Sequence, residues 1–421
     1  MIRLNKTHFD KIYDVKHDEN QIAELVEHCR YEMNSGKIGF YTLPEKMKSV
    51  LSEIKKYIAS LPNQIDTFLL IGVGGSALGP QTIDQAFRTY KTKKKFICLD
   101  NTDPDVLTDI LETIDPKKTL VNVISKSGGT LETMANLSII HEKFKSVLGN
   151  DVYKNYVFTT DPEKSKLKDY AKVHNVKCFY IPSNVGGRFS VLTPVGLLMA
   201  EFMGYDSEQL LKGADELVQT FFHPLSTTHQ SLVIDYAFSS FHAFREEKKS
   251  VSVLMPYSSK LANLSAWYKQ LWGESLGKRF DLNGNEVFTG QTPVACVGSI
   301  DQHSILQYLI EGPNKNLVTF IKVNSRDKVN TEQFDLLKSD FTNIDLGKIN
   351  NDQLDSTAEA LANENRPCLT LEIEQLDEYH LGQLILFFEL VTAIWGKLLC
   401  INPYDQPGVE LGKKIIEKKY H

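Results

Sequence analysis

Cysteine is sparse in this sequence and shows none of the arrangements that carry chemistry. The six cysteines lie far apart along the chain, with no CxxC pair. This spacing indicates reduced, structural thiols in the cytoplasm rather than a disulfide framework or a zinc site. The eleven histidines likewise show neither HxH nor HExxH spacing. The sequence therefore predicts no metal site.

An excess of positive charge is also absent. The formal net charge is −6 and the pI is about 6.0, which argues against nucleic acid or an anionic membrane as a partner. The first 20 residues have no apolar core of the kind found in a signal peptide. The most apolar predicted helix, 381–399, carries Glu389 and Lys397 and is interpreted as a core helix rather than a membrane span. An anionic ligand would have to be bound by local geometry.

What is present is an ordinary globular composition and a regular alternation of strands and helices. The chain has 421 residues, of which 42% are hydrophobic and 24% charged, and this length predicts more than one core. Unbroken apolar runs such as 67–73 alternate with amphipathic stretches, a pattern typical of parallel sheets with right-handed crossovers. We therefore predict an α/β fold with two βαβ domains and a ligand crevice between them, outside the carboxyl ends of the strands.

The chain divides into four predicted segments. They are a polar N-terminal arm (1–45), a first α/β domain (46–205), a second α/β domain (206–375) and a C-terminal helical segment (376–421). Strands are predicted at 67–73, 95–100, 119–125, 156–160, 178–182, 250–258, 292–299, 316–323 and 368–375. Helices are predicted near 44–60, 80–90, 103–113, 130–148, 208–222, 230–247, 260–273, 302–311 and 381–399, with 327–360 largely irregular.

The segment IGVGGSALGP (71–80) follows an apolar strand and opens a helix. Backbone N–H groups at a helix start, with the hydroxyl of Ser76, favour an anion such as phosphate. The same segment satisfies G-x-G-x-x-A, and Asp100 ends the next strand, as a dinucleotide site requires. A purely structural tight turn is the third interpretation.

The segment ISKSGGTLET (124–133) lies at the end of the strand predicted at 119–125 and is rich in polar side chains. Ser125, Lys126, Ser127 and Thr130 lie within six residues. Thr130 is well placed to cap the following helix, but capping needs one such residue rather than four. Hydroxyls and amides at a helix N-terminus suit a phosphate dianion, and the Walker spacing of nucleotide triphosphatases is absent.

A third segment, NVGGRFSVLTP (184–194), places one arginine, Arg188, beside two glycines. Together with the two polar turns, an isolated arginine predicts a substrate with a phosphate at one end and developing negative charge at the other.

The helix KLANLSAWYKQLWGESLGK (260–278) carries Gln270 and Glu274 on one face, four residues apart. A purely structural interpretation pairs Glu274 with Lys278, also at i+4, for about 0.3–0.5 kcal/mol. Gly273 and Gly277 flank the carboxylate, and glycines are costly in a helix unless something approaches closely. The functional and the structural interpretation both stay open.

His303, in VGSIDQHSILQYL, is predicted in the first turn of a helix. The positive end of that helix would disfavour imidazolium, and a neutral ring can both accept and donate a proton. A structural histidine at a helix start is the alternative.

The segment NPYDQPGVELGKK (402–414) is a loop rich in proline and glycine that enters a C-terminal helix. Its aromatic, Asp and Gln side chains suggest the wall of a site. Lys413 and Lys414 would otherwise belong to a solvated helix end.

These segments together resemble the glucose-6-phosphate isomerase family. The matching segments, in the order of the family, are GVGGSALGP, SKSGGTLET, GGRFSVLTPVGLL, KQLWGESLGK, GSIDQHSILQ and NPYDQPGVELGKK. The resemblance implies two flavodoxin-like sugar-isomerase domains, a homodimer, and reversible interconversion of glucose 6-phosphate and fructose 6-phosphate. It implies neither a metal nor a cofactor.

The resemblance also implies a role for each matching residue. The phosphate end would be lined by Gly75, Ser76, Ser125, Lys126, Ser127 and Thr130. Glu274 would be the base and Arg188 would stabilise the enediolate. Substrate would be positioned by Gly187, Gln270 and Gln406. His303 and Lys413 would open the sugar ring, and His303 would come from the partner subunit.

Two features depart from the family pattern. Position 129 is Gly where the family commonly has Thr, and the chain is shorter than the animal enzymes. A related aldose–ketose isomerase would lack the ESLGK and DQPGVELGK segments, which this chain has. A sugar-phosphate-binding regulator would lack the base, but Glu274 is present. An oxidoreductase linked to NAD would be protected by NAD rather than by sugar phosphate.

Overall fold

The computed structural model describes residues 1–16, 18–222 and 227–420. The chain forms two compact units. Unit I comprises Glu32–Val218 and Asp377–Ile385, and unit II comprises Met1–Tyr31, Gln219–Leu376 and Leu386–His421. The units therefore divide near residues 31, 218, 376 and 385, whereas the predicted segments divide after 45, 205 and 375. The predicted functional division stays a prediction.

The strands of the described residues are short and mostly parallel. They are β1 (Arg3–Asn5), β2 (Thr67–Ile71), β3 (Lys95–Leu99), β4 (Thr119–Ile124), β5 (Tyr156–Thr160), β6 (Lys177–Tyr180), β7 (Val251–Pro256), β8 (Lys278–Phe280), β9 (Glu286–Thr289), β10 (Thr292–Ala295), β11 (Asn316–Val323) and β12 (Cys368–Ile373).

Helices connect most of these strands. They are α1 (Thr7–Asp10), α2 (Glu19–Ser35), α3 (Leu43–Ser60), α4 (Gly75–Phe87), α5 (Pro104–Thr113), α6 (Leu131–Leu148), α7 (Lys166–His174), α8 (Pro194–Met203), α9 (Ser207–Phe222), α10 (Thr227–Arg245), α11 (Ala262–Leu276), α12 (Leu306–Glu311), α13 (Leu346–Asn363), α14 (Glu378–Leu398) and α15 (Val409–Tyr420). Short 3₁₀ helices occur at Phe40–Thr42, Pro116–Lys118, Gly149–Asn155, Gly187–Phe189, Ser259–Leu261, Ile300–His303 and Ser339–Phe341.

Unit I contains a five-stranded parallel sheet in the order β3-β2-β4-β5-β6. Every residue of β2 is buried, as expected for a strand covered by helices on both faces. The chain leaves β2 toward β3 on one side and continues through β4 on the other. The strand order therefore reverses between β2 and β4, and this reversal is where open α/β sheets bind ligands.

Unit II contains a second five-stranded sheet, in the order β1-β12-β11-β7-β10. Only β1 runs antiparallel to its neighbour, with Arg3 opposite Glu372, and the other strands of the sheet pair in parallel. The order reverses here between β7 and β11. Strands β8 and β9 form a separate antiparallel pair.

Each unit has its own apolar core. Leu69, Val121 and Phe158 of the first sheet are 0–1% exposed, and in unit II an aromatic cluster joins α11 to α14. In that cluster the Trp272 and Trp395 rings lie 4.8 Å apart between centroids. Each fully buried Leu, Val or Phe side chain of such a core contributes about 1.5–3 kcal/mol to folding.

Helix α14 is the core helix that the sequence predicts. Of the helices in the described residues it alone is long and apolar enough to cross a membrane, yet 89% of its most apolar window is buried within the protein. Glu389 on this helix is 1% exposed, and burial raises the pKa of its carboxyl well above the ordinary value. Burial of a carboxyl group in a core favours its neutral form.

The predicted α/β fold class is confirmed, and most predicted strands match observed ones within a few residues. Two local predictions are wrong, and the short strand β1 has no counterpart among the predicted strands. Residues 346–363 form helix α13 rather than an irregular stretch, because its buried face is partly made of small residues such as Ala358 and Ala362, which give a weak periodic signal. The predicted arm contains β1, which is too short to show alternation. The predicted helix 302–311 is a 3₁₀ turn followed by α12.

Candidate active site

The polar segment after β4 folds into a tight loop, residues 125–130, called here the hydroxyl loop. Ser125 is 2% exposed, and its hydroxyl shares a hydrogen bond with that of Thr130 (Oγ–Oγ1 2.9 Å). The same Oγ accepts the N–H of Gly128 at 3.1 Å, and the Ser127 Oγ accepts the N–H of Gly129 at 3.2 Å. The loop therefore gathers three hydroxyls at the start of α6, beside the reversal point of the sheet.

Thr130 occupies the residue before α6, but its hydroxyl makes no capping bond to that helix. The expectation that it caps α6 is therefore wrong, because the hydroxyl points into the loop toward Ser125. The first amides of α6 have no bond from this side chain, and such amides attract anions. This arrangement favours the phosphate interpretation over a purely structural one.

Neighbouring strand ends hold the hydroxyl loop in place. The Thr160 hydroxyl, at the end of β5, donates to the carbonyl of Ser125 at 2.7 Å. Gly128 adopts φ +69°, and a Cβ there would lie 2.5 Å from the backbone nitrogen of Leu167. A side chain at this position would therefore meet both backbone strain and a collision.

Lys126 uses its ammonium to fix another segment. Its Nζ donates to the carbonyls of Ser183 (2.8 Å) and Val185 (2.9 Å). Burial lowers the pKa of Lys126, and the nearby Asp161 carboxylate opposes that shift. Lys126 thus ties the hydroxyl loop to the segment that leads to Arg188.

The first and third polar segments also meet. A Cβ on Gly75 would lie 2.3 Å from the carbonyl oxygen of Gly187, so only glycine permits this approach. Gly75 opens α4, with Ser76 half-buried beside it. Arg188 is 3% exposed, and its guanidinium carbon lies 5.7 Å from the centre of the Phe189 ring. The structure therefore brings all three predicted segments together within unit I.

In unit II, the last turns of α11 form a second polar group, called here the α11 cluster. The Gln270 amide donates to the Glu274 carboxylate (Nε2–Oε1 3.2 Å). Lys278 donates to the backbone carbonyl of Glu274 at 3.0 Å and pairs with the Asp405 carboxylate at 3.0 Å. Lys278 thereby holds the 402–408 loop, which contains Gln406, against the end of α11.

Of the two glycines that flank Glu274, only Gly277 has a steric explanation. A Cβ at Gly273 would lie 3.4 Å from Pro293 of β10, an ordinary contact, and one at Gly277 would lie 2.8 Å from the carbonyl oxygen of Gly273. Crowding by the backbone therefore accounts for Gly277 but not for Gly273, and the interpretation that these glycines allow the close approach of a ligand stays a prediction. The contact of Gln270 with the carboxylate, rather than the glycines, supports a functional Glu274.

His303 lies at the end of the 3₁₀ helix Ile300–His303, not in the first turn of an α-helix. The argument that a helix N-terminus keeps this ring neutral is therefore wrong. The side chain is exposed, and its neighbours hold the turn: Asp301 accepts from the N–H of Val297 at 2.7 Å, and Gln302 donates to Thr357 at 2.6 Å.

The remaining candidates lie near the C-terminus. Gln406 is exposed in the loop after Cys400, and Lys413 is exposed on α15, where it pairs with Glu410 at 2.7 Å. Among the described residues no group of three or more His, Cys, Asp or Glu side chains is arranged to hold a metal ion.

Sequence reasoning missed the residues that support the site. Thr160 holds Ser125, and Asp405 anchors Lys278. The position of Thr160 at the end of a predicted strand could have identified it. That strand neighbours β4, and parallel strands bring their carboxyl ends to one edge of the sheet.

The fold and the polar loops define an α/β protein of the sugar-isomerase type, and solved structures agree. A hypothetical protein from Thermus thermophilus aligns with a TM-score of 0.90 and 33% identity over 100% of both chains. A glucose-6-phosphate isomerase from Chlamydia trachomatis aligns with a TM-score of 0.78 and 26% identity, covering 98% of this chain and 78% of the other.

Sequence comparison identifies the family. The phosphoglucose isomerase family model matches residues 40–420. A glucose-6-phosphate isomerase of Carboxydothermus hydrogenoformans is 36% identical over 418 residues, covering 95% of this chain and 89% of the relative. One of Campylobacter jejuni is 34% identical, covering 98% of each chain. The chain belongs to the phosphoglucose isomerase family, which confirms the predicted family and isomerase activity.

Proposed function

We propose that the protein interconverts D-glucose 6-phosphate and D-fructose 6-phosphate by ring opening and a cis-enediol(ate) intermediate, in glycolysis and gluconeogenesis and without a metal or cofactor. The family supports the reaction. The observation that carries the residue roles is the hydroxyl loop, whose Thr130 hydroxyl faces Ser125 instead of capping its helix.

The hydroxyl loop is the proposed phosphate site. Ser125, Ser127 and Thr130 supply hydroxyls, and the starts of α4 and α6 supply backbone N–H groups that suit a dianion. Ser76 adds a hydroxyl at the start of α4. Lys126 acts through the segment it holds, since its ammonium binds the carbonyls of Ser183 and Val185. Binding energy from this non-reacting phosphate would hold the open-chain sugar in place for reaction.

Glu274 is the proposed base. Moving a proton between C2 and C1 needs one carboxylate that removes the proton from one carbon and returns it to the other. Gln270 orients this carboxylate through its amide, and Gln406 lies next to Asp405 in the loop that Lys278 holds against α11. Arg188 is the proposed cation for the charge on the enediolate oxygen, a kind of stabilisation worth about 2.7–4 kcal/mol. Gly187 would position substrate beside it.

Ring opening requires a second acid–base pair, because sugars are mostly cyclic in water. His303 and Lys413 are the proposed pair, one to accept and one to donate a proton. Both side chains are exposed, so each is accessible to a ligand or to another subunit.

A homodimer with a shared active site is the proposed assembly, with His303 contributed by the partner subunit. The exposure of His303 supports this. So do four apolar side chains of α15 that are 39–67% exposed: Val409, Leu411, Ile415 and Ile416. Exposed apolar residues on one helix are typical of a protein interface. We propose a cytoplasmic enzyme whose partner is the sugar phosphate, with no nucleic acid or membrane partner.

A coupled assay tests the reaction. Fructose 6-phosphate should be converted to glucose 6-phosphate by the purified protein in the presence of a metal chelator. The proposal would be contradicted if the activity required an added divalent metal. It would also be contradicted if NAD, rather than sugar phosphate, protected the enzyme from inactivation.

A further inference from the structure

One lysine lies against the hydroxyl loop without belonging to it in sequence. Lys166 is the first residue of α7, and its N–H donates to the carbonyl of Ser127 at 3.3 Å. Its side chain runs past Gly129: Cδ and Nζ lie 3.8 and 3.9 Å from the point that a Cβ on Gly129 would occupy. The ammonium of Lys166 therefore lies at the open side of the loop, where Gly129 offers no side chain.

Helix stability does not explain a lysine at this position. A cation in the first turn faces the positive end of the helix dipole and is unfavourable there. The cap of α7 is already supplied by Ser165, whose Oγ accepts from the N–H of Leu167 at 3.2 Å. The position of Lys166 thus costs α7 some stability rather than adding to it.

Within the described residues, the charge of Lys166 also has no protein partner. In the parts of the chain that the structure describes, its ammonium makes no hydrogen bond or ion pair. By contrast, the ammonium of Lys168, two residues later, binds the carbonyl of Pro162, and that of Lys126 binds two carbonyls. The side chain of Lys166 is exposed, so its ammonium is accessible to a ligand at the loop.

Apart from Lys126, whose ammonium is held by the carbonyls of Ser183 and Val185, the loop supplies neutral donors to a ligand that carries close to two negative charges. Hydroxyls and amides orient a phosphate but do not neutralise it. An ammonium about 4–6 Å away adds a Coulombic attraction that does not require contact. Lys166 is placed to supply this charge.

We infer that Lys166 is an additional substrate-binding residue of this chain, whose ammonium binds the phosphate group of the sugar phosphate across the open side of the loop at Gly129. The inference rests on the proposed role of the hydroxyl loop in phosphate binding. It adds a cation that neither the three polar segments nor the family resemblance pointed to.

Steady-state kinetics of the full-length enzyme test this. Lys166→Gln should raise KM for fructose 6-phosphate about three- to tenfold at low salt and leave kcat within about twofold, because the phosphate does not react. The difference from wild type should vanish near 1 M salt, where the Debye length is about 3 Å. Lys166→Arg, which keeps the charge, should retain most of the affinity.

Lys172→Gln is the matched control. It removes the same charge from an exposed position of the same helix, six residues or about 9 Å further along, and should leave KM unchanged. Both variants should unfold at a temperature close to that of the wild type, which checks that the fold is intact.

A second variant tests the position directly. Gly129 does not adopt a positive φ, and a Cβ there would make only ordinary contacts, so Gly129→Thr should fold normally. Its hydroxyl would serve the same side of the phosphate, and the Gly129→Thr/Lys166→Gln double variant should recover part of the lost affinity.

Two results would overturn the inference in different ways. If Thr130→Ala raises KM but Lys166→Gln does not, the loop binds phosphate and Lys166 takes no part. If neither variant changes KM, the phosphate role of the loop fails and the inference falls with it.

Discussion

Units I and II share one order of parallel strands but differ at the point where that order reverses. In unit I, β4 and α6 are joined by the six-residue hydroxyl loop, in which the hydroxyls of Ser125 and Thr130 face one another. In unit II, β11 and α13 are joined by 22 residues, 324–345. There Arg326 donates to the Tyr257 carbonyl at 2.5 Å and to Asn350 at 3.1 Å.

The comparison shows that the reversal of strand order provides a position where a ligand can bind. The local sequence decides whether polar side chains at that position bond to the protein or stay available to a ligand. In unit II the equivalent place holds an arginine that bonds to the protein. The proposed catalytic groups of that unit lie elsewhere, at the end of α11 and after β10. We expect substitutions in unit I to affect binding of the phosphate, and substitutions at the α11 cluster to affect proton transfer.

The largest effect is expected at Glu274. Glu274→Gln keeps the size of the side chain and the contact with Gln270 but removes the base, so kcat should fall at least about 10²–10⁴-fold, with KM nearly unchanged. Exchange of the C2 proton with solvent, followed by NMR, checks the role. Exchange at the wild-type rate in this variant would show that another group is the base.

A large effect is also expected at His303. His303→Ala should strongly lower turnover of cyclic fructose 6-phosphate while inhibitor binding and dimerisation stay intact, because the side chain is exposed and supports no core.

Mixing this variant with Glu274→Gln tests the shared site. Each heterodimer should contain one site with both residues intact, and part of the activity should return. If mass spectrometry proves subunit exchange and the mixture stays inactive, each subunit has its own complete site.

Intermediate effects are expected from substitutions at Thr130 and Ser165. Together they distinguish a change in substrate binding from a change in the stability of unit I. Thr130→Ala should raise KM about tenfold or more, as for a hydrogen bond to a charged group, with little change in the free energy of unfolding, since Thr130 makes no capping bond. Ser165→Ala removes a true cap and should cost about 1 kcal/mol of stability. Denaturant unfolding with KM measurement checks both. A stability loss in Thr130→Ala equal to that in Ser165→Ala would restore the capping interpretation.

The smallest catalytic effect is expected at the reversal point of unit II. Arg326→Met removes two hydrogen bonds within the protein and should lower the free energy of unfolding by about 1–3 kcal/mol. KM for fructose 6-phosphate should stay at the wild-type value, because the Arg326 guanidinium is bonded to Tyr257 and Asn350 of the protein itself. A rise in KM comparable to that of Thr130→Ala would mean that both reversal points bind substrate.

The sequence by itself determined the features that depend on neighbouring residues. Apolar runs followed by Gly and Ser predicted the strands and the three polar segments, because a buried strand and the turn that ends it are encoded by about ten consecutive residues. The i+4 spacing of Gln270 and Glu274 likewise predicted a contact that the structure contains. The same locality explains the error at His303, since a few polar residues after a strand fit a 3₁₀ turn as well as the first turn of a helix.

Only the tertiary structure decided which distant residues meet. The approach of Gly75 to Gly187, the binding of Lys126 to carbonyls 57 and 59 residues away, and the position of Lys166 beside Gly129 all arise where strands far apart in sequence end at one edge of a sheet. The partner of a polar side chain depends on which carbonyl, hydroxyl or amide the folded chain brings within about 3 Å. No local pattern encodes that distance, and so only the fold shows that the Thr130 hydroxyl meets Ser125 and that the Lys126 ammonium binds two distant carbonyls.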